Sequence, residues 1–215
     1  MKRVLILVQA CDDAPYKEMQ KAQLDTWDSI HVDGVTTVYY YGNNQHKGEF
    51  IFNSLKKKLY CPCSEAYDMM HYRHKLATEW CFENVKFDIM FRTNASSYVH
   101  KKLLFDYAQT LPTEKLFISN NGIPSGAGFF LSKDYIKLAN EGIDQHPTPS
   151  EDMYIFSMLN RHGIDLSPGG DRVEFNHQEA RPERPCYHYR CKSDTYDRLK
   201  DIRAFHKLFK QFHGA

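Results

Sequence analysis

The stretch Val4-Leu5-Ile6-Leu7-Val8-Gln9-Ala10 decides the fold class of this chain. An almost unbroken apolar run of this length is typical of a strand that is buried on both faces of a parallel sheet. Cys11-Asp12-Asp13-Ala14-Pro15 ends the run, and the pattern after it predicts a helix over residues 16–27. The β-branched and aromatic residues 35–41 predict a second strand.

The alternation of strands and helices continues along the chain. We predict a long helix over residues 64–84, a strand over 87–91 and a polar loop over 92–97, with two short strands favoured within 49–60. The second half predicts helices over 100–110, 133–141, 151–162 and 195–213, strands over 115–119 and 127–131, and irregular structure over 167–185. This order predicts an α/β sandwich with a mostly parallel central sheet flanked by helices. Ligands bind such sheets beyond the carboxyl ends of the strands, which directs attention to residues 9–15 and 92–97.

Length and composition limit the class of protein. A chain of 215 residues suits a single domain with a substantial core. The net charge of +1 speaks against a basic surface for duplex nucleic acid, so no nucleic-acid partner is expected. The sequence shows neither a signal peptide nor an apolar stretch long enough to span a membrane, and a cytoplasmic location is therefore expected. The six cysteines match no zinc spacing.

Several common catalytic motifs are missing from the sequence. It has no G-x-G-x-x-G after the first strand, no P-loop, no G-x-S-x-G and no H-E-x-x-H, which disfavours dinucleotide dehydrogenases, P-loop NTPases, serine hydrolases and zincins. Three other segments remain. They are Phe87-Asp88-Ile89-Met90-Phe91-Arg92-Thr93-Asn94-Ala95-Ser96-Ser97-Tyr98-Val99, Pro124-Ser125-Gly126-Ala127-Gly128-Phe129-Phe130-Leu131-Ser132, and Ser150-Glu151-Asp152-Met153-Tyr154.

In this order the three segments resemble those of the inverting glycosyltransferases of the GT-A fold, in the family 31 group of beta-1,3-galactosyltransferases and Fringe-like enzymes. Thr26-Trp27 and the set Lys75, Trp80 and Cys81 are similar to further motifs of that family. The resemblance covers roughly residues 4–165. It implies one Rossmann-like glycosyltransferase domain, residues 1–215, with a nucleotide-binding half (1–97), an acceptor and catalytic half (98–193) and a C-terminal helix (194–215).

The resemblance also implies a reaction. A sugar would move from a nucleotide sugar, a UDP-sugar in this family, to a glycan or other hydroxyl acceptor with inversion. Asp152 would be the general base that takes the proton of the attacking hydroxyl, and Glu151 would orient the acceptor. From the residues alone, two carboxylates at a helix start are equally typical of caps.

One segment departs from the family pattern. Where the family has D-D-D, this chain has Asn94-Ala95-Ser96, and neutral oxygens bind Mn²⁺ or Mg²⁺ more weakly than carboxylates do. Either a metal binds through Asn94, Ser96 and His188, or positive side chains such as Arg190 and Lys192 replace it. His177 competes with His188 for the ligand role, and residues 94–97 also fit a simple turn and helix cap.

The expected donor site combines strand ends with the three segments. Gly126 and Gly128 would let the backbone approach a sugar closely, and Ser125 offers a hydroxyl. The full set of expected donor-binding residues is Val8, Gln9, Ala10, Tyr41, Lys75, Arg92, Thr93, Asn94, Ser125, Gly126, Arg190 and Lys192.

Two other functions remain open at this point. One is a non-catalytic module that binds a nucleotide sugar or a glycan and has a degenerate metal site. The other is a different Rossmann-like transferase, such as a methyltransferase, although the missing glycine-rich loop after the first strand disfavours it.

Overall fold

The first strand lies at the centre of the fold, as its apolar run predicts. The computed structural model describes residues 1–43, 48–122, 125–144, 146, 150–170, 172–174, 185–193 and 197–214. Strand β1 (Val4–Gln9) pairs in parallel with β2 (Val35–Gly42) on one side and with β5 (Ile89–Asn94) on the other. Every residue of β1 except Gln9 is buried.

Five further strands complete an eight-stranded sheet. They are β3 (Ile51–Asn53), β4 (Lys58–Cys61), β7 (Phe117–Ser119), β8 (Gly128–Ser132) and β9 (Ser167–Pro168). The order is β3-β4-β2-β1-β5-β8-β7-β9. The central strands β4, β2, β1 and β5 are parallel, while β3 and β8 run antiparallel to their neighbours. The predicted α/β class, with its mostly parallel sheet, is confirmed.

A second, smaller sheet begins just after the carboxyl end of β5. Its strands β6 (Ser97–Val99), β10 (Arg172–Glu174) and β11 (His188–Arg190) are arranged in the order β10-β11-β6. Strand β11 runs antiparallel to β6, with Arg190 opposite Ser97. This pairing brings the late part of the chain to the carboxyl end of β5.

Within the described residues, six α-helices and three short 3-10 helices pack around the large sheet. The α-helices are α1 (Tyr16–Asp25), α2 (Met70–Asn84), α3 (Lys101–Thr110), α4 (Lys133–Glu141), α5 (Glu151–Arg161) and α6 (Arg198–His213), and the 3-10 helices are Trp27–Ser29, Tyr67–Met69 and Asn120–Gly122. Alternate residues of β1 belong to two cores. Val4, Ile6 and Val8 pack with α1, α3 and α6, whereas Leu5 and Leu7 pack with α2, α4 and α5. None of the helices within the described ranges has both the length and the apolar character needed to cross a membrane.

Three predicted elements differ from the structure. Residues 92–94 extend β5 instead of forming a loop, because all three pair with β1 and the first two also pair with β8. The helix predicted from residue 64 begins at Met70, since the Arg73 side chain donates hydrogen bonds to the carbonyls of Ser64 and Ala66, 3.0 Å each, and holds that segment outside the helix. The region expected to be irregular, 167–185, contains β9 and β10, which form by pairing with β7 and β11.

Candidate active site

A cleft of about 480 Å³ opens where β1 and β5 end and α5 begins. Eleven of the predicted site residues line it. They are Gln9, Ala10, Arg92, Asn94, Ser96, Ser125, Gly126, Glu151, Asp152, Arg190 and Lys192.

Five predicted site residues lie elsewhere. Val8, Tyr41 and Thr93 are at most 1% exposed and belong to strands β1, β2 and β5, because helices cover both faces of the large sheet. The ammonium group of Lys75 donates to the carbonyl of Ile143, 2.9 Å away. His188 is also buried, as described below.

A buried ion pair forms the floor of the cleft. Arg92 is 1% exposed and Glu151 2% exposed, and Arg92 Nε lies 3.1 Å from Glu151 Oε1 while Nη2 contacts Oε2. The same guanidinium donates to the Gly126 carbonyl and to the Gln9 side chain. Burial raises the pKa of Glu151, against the opposing effect of the Arg92 charge. One side chain therefore joins β1, β5, the segment before β8 and the start of α5.

Asp152 is the neighbour of Glu151 on α5 and is partly exposed in the cleft. Its Oδ1 accepts hydrogen bonds from the Ser150 hydroxyl (2.5 Å) and the Met153 backbone N–H (3.0 Å), and its Oδ2 accepts one from the Gly126 N–H (2.6 Å). Burial acts to raise the pKa of Asp152, but these hydrogen bonds and the Arg92 charge outweigh it and lower the pKa. The carboxylate is therefore ionised near neutral pH and fixed in orientation, as a general base requires.

The expected metal ligands have other contacts. Asn94 Oδ1 accepts the Ser96 backbone N–H (3.0 Å), and Asn94 Nδ2 donates to the Gly126 carbonyl (2.8 Å). His188 is 2% exposed, and its Nε2 lies 3.0 Å from the Ser97 hydroxyl. Within the described residues, no group of three His, Cys, Asp or Glu side chains is placed to hold a metal ion. The three expected ligands, Asn94, Ser96 and His188, include no carboxylate, whereas Mg²⁺ at a phosphate site is held through one or two carboxylates, so the donor set does not fit Mg²⁺ or the similarly hard Mn²⁺. His177 lies outside the described residues.

The cleft contains nine residues that sequence analysis did not single out. They are Cys11, Tyr16, Glu65, Tyr67, Met70, Arg73, Ala95, Ala127 and Arg198. Three of them, Cys11, Ala95 and Ala127, are sequence neighbours of predicted site residues. The rule that ligands bind beyond the carboxyl ends of parallel strands could therefore have pointed to this part of the cleft. The others come from helix starts, and Glu65 from the irregular segment before the 3-10 helix Tyr67–Met69; their approach to the cleft depends on tertiary packing.

A buried histidine, His74, contacts the ion pair. It should make the free energy of unfolding depend on pH. His74 Nδ1 is 3.2 Å from Glu151 Oε1, and burial, followed by the Arg92 charge, lowers the pKa of His74 to about 3. Below its ordinary pKa of 6.5 the unfolded chain binds a proton at this position that the folded chain does not. The free energy of unfolding should therefore fall from pH 6.5 towards pH 3, by at most about 1.4 kcal/mol per pH unit from this group.

Urea unfolding of the His74→Gln variant between about pH 7 and pH 4 tests this linkage. We expect a shallower fall of stability with decreasing pH than in the unaltered protein. The exposed histidine variant His31→Gln is the control and should keep the original slope. A His74→Gln slope equal to that of the unaltered protein would contradict the assignment.

Comparisons with known proteins bear on the fold. No protein-family model matches the chain, and no curated protein matches its sequence significantly. The structure is similar to a solved structure described as a glycosyltransferase involved in the glycosylation of the major capsid of PBCV-1, with a TM-score of 0.61 and 12% sequence identity. The match covers 95% of this chain and 98% of that chain. The two chains share a fold. The chain thus has the same Rossmann-like α/β fold as that protein, while the resemblance to family 31 stays a prediction.

Proposed function

We propose that this protein is a glycosyltransferase that moves a sugar from a nucleotide sugar to a hydroxyl acceptor, with inversion at the anomeric carbon. The observation that carries the proposal is the ionised, oriented carboxylate of Asp152 in the cleft at the carboxyl ends of β1 and β5. The similarity to the fold of a solved glycosyltransferase supports it.

The proposed reaction is a single displacement. The acceptor oxygen attacks the anomeric carbon as Asp152 removes its proton, and the bond from that carbon to the nucleotide phosphate breaks. The nucleoside diphosphate leaves with the bonding electrons, and Asp152 later loses the proton to solvent. One carboxylate suffices, because no covalent sugar intermediate forms and the sugar inverts once.

The backbone at Gly126 supports the fixed position of this base. Its N–H donates a hydrogen bond to Asp152, and its carbonyl accepts hydrogen bonds from Arg92 and Asn94. A Cβ at this position would come within 3.3 Å of Arg92 Nη1 and 3.5 Å of Asp152 Oδ2. Glycine therefore lets the Arg92 and Asp152 side chains approach the backbone closely.

The proposed chemical classes of the donor and the acceptor rest on the resemblance to family 31 and on the similar solved structure. The family 31 motifs favour UDP as the nucleotide, and glycosylation by the structurally similar protein favours a glycan acceptor. The buried position of Glu151 supports a role in holding Arg92, so we propose it as a positioning residue rather than a group that contacts the acceptor.

Calorimetric titration with UDP, GDP and CDP tests whether the cleft binds a nucleotide. We expect UDP to bind with a 1:1 stoichiometry and more tightly than GDP or CDP. Binding of S-adenosylmethionine and of none of the three nucleotides would contradict the proposal and favour a methyltransferase.

A further inference from the structure

The cleft carries more positive charge than the rest of the protein. Among the described residues, five cationic side chains line it, Arg73, Arg92, Arg190, Lys192 and Arg198, against the three carboxylates Glu65, Glu151 and Asp152, while the buried Asp201 pairs with Arg198. The whole chain is almost balanced, with 28 Lys and Arg and 27 Asp and Glu. A cleft with excess positive charge favours an anionic ligand.

Two of these cations stand beside the turn that replaces the acidic motif. Strand β11 pairs with β6 so that Arg190 lies opposite Ser97, and the backbone N–H of Cys191 donates to the Ser96 carbonyl at 2.8 Å. Cys191 is fully buried, whereas Arg190 and Lys192 line the cleft. Alternate residues of an extended segment share a side, so both cations flank the turn at 94–96.

A third cation is held at the same end of the cleft by the start of α6. The backbone N–H of Ser193 donates to Asp201 Oδ1 (2.8 Å), and the Ser193 hydroxyl donates to the Asp197 carbonyl (2.9 Å). Arg198 Nη1 lies 2.9 Å from the buried Asp201 Oδ2. These contacts tie the segment after β11 to α6 and fix Arg198 near Lys192.

We infer that Arg190, Lys192 and Arg198 hold the diphosphate of the donor and neutralise its charge in place of a divalent cation. The inference rests on the proposed function. Guanidinium groups bind phosphate oxygens in a bidentate manner, and an ammonium group adds a point charge. Fixed positive groups that face a leaving diphosphate stabilise the charge that develops as the glycosidic bond to phosphate breaks. The neutral Asn94 and Ser96 then need no metal to bridge them to the phosphates.

Calorimetric titration of UDP in excess EDTA, and again with Mg²⁺ or Mn²⁺, tests the inference. We expect the dissociation constants to agree within about twofold, since a required metal would change affinity by far more. Uridine, which lacks phosphates, is the second probe. Lys192→Gln and Arg190→Gln should each weaken UDP binding about tenfold and leave uridine binding nearly unchanged. Lys200→Gln removes an exposed charge on α6 outside the cleft and is the matched control.

The outcomes separate this inference from the proposed function. UDP binding that appears only with Mn²⁺ or Mg²⁺ would overturn the inference and leave the glycosyltransferase proposal standing. An equal loss of UDP and uridine affinity in Lys192→Gln and Arg190→Gln would also overturn it, because the side chains would then shape the cleft rather than neutralise phosphate. No binding of UDP under any condition would overturn both.

Discussion

Asp152→Asn is expected to lower the rate of sugar transfer at least about 100-fold while leaving the affinity for UDP nearly unchanged. The asparagine oxygen can still accept from the Ser150 hydroxyl and the Met153 N–H, and only the bond from the Gly126 N–H is lost. An amide has no basic oxygen for the acceptor proton. The loss should therefore appear in the chemical step, and steady-state kinetics with a UDP-sugar donor measure it.

Two further variants sharpen this test. Ser150→Ala removes one hydrogen bond to Asp152 but keeps the carboxylate, so the rate should change far less than in Asp152→Asn. Asp106→Asn removes an exposed carboxylate on α3 that pairs with Lys102, and it should leave the rate unchanged. A near-normal rate for Asp152→Asn would remove this residue from the mechanism.

Arg92→Met is expected to destabilise the folded protein by about 3–5 kcal/mol, because it leaves the Glu151 carboxylate buried without its partner. The Gly126 carbonyl and the Gln9 side chain lose a donor as well. Urea unfolding monitored by circular dichroism measures the change. The same substitution at Arg3, whose ion pair with Asp88 is exposed, should change the stability far less.

A double variant shows whether Arg92→Met is unstable because Glu151 loses its ion-pair partner or because the packing around Arg92 is lost. Combining Arg92→Met with Glu151→Gln removes the buried charge, and most of the lost stability should return. If the double variant is as unstable as Arg92→Met alone, the cost comes from packing around Arg92 and the account of the ion pair is wrong.

The architecture was largely predictable because its signals are local. The apolar run at 4–8 reads directly as a buried central strand, and the two short strands β3 and β4 fall within residues 49–60 as expected. Asp152 and Gly126 were found through motif order, and both line the cleft.

The contacts that shape the site depend on distant parts of the chain. The Arg92 side chain was expected at the donor, but its hydrogen bonds are set by Glu151, 59 positions later. Arg198 gave no local signal, since its place near Lys192 depends on how α6 docks beside β11. The polar residues 92–94 were predicted to form a loop. They are part of β5 because they pair with strand β1 and, for the first two residues, with β8, and such pairing with distant segments cannot be inferred from the local sequence.

The most direct test of the account is turnover of a nucleotide sugar by the unaltered protein. Release of the nucleoside diphosphate from UDP-, GDP- and CDP-sugars would be followed over time with a panel of hydroxyl acceptors, and Asp152→Asn would be run in parallel. The account predicts that a UDP-sugar is consumed, that the product has the inverted anomeric configuration, and that Asp152→Asn is at least about 100-fold slower. A donor that binds the unaltered protein but is never consumed would contradict the account and identify a non-catalytic binding module.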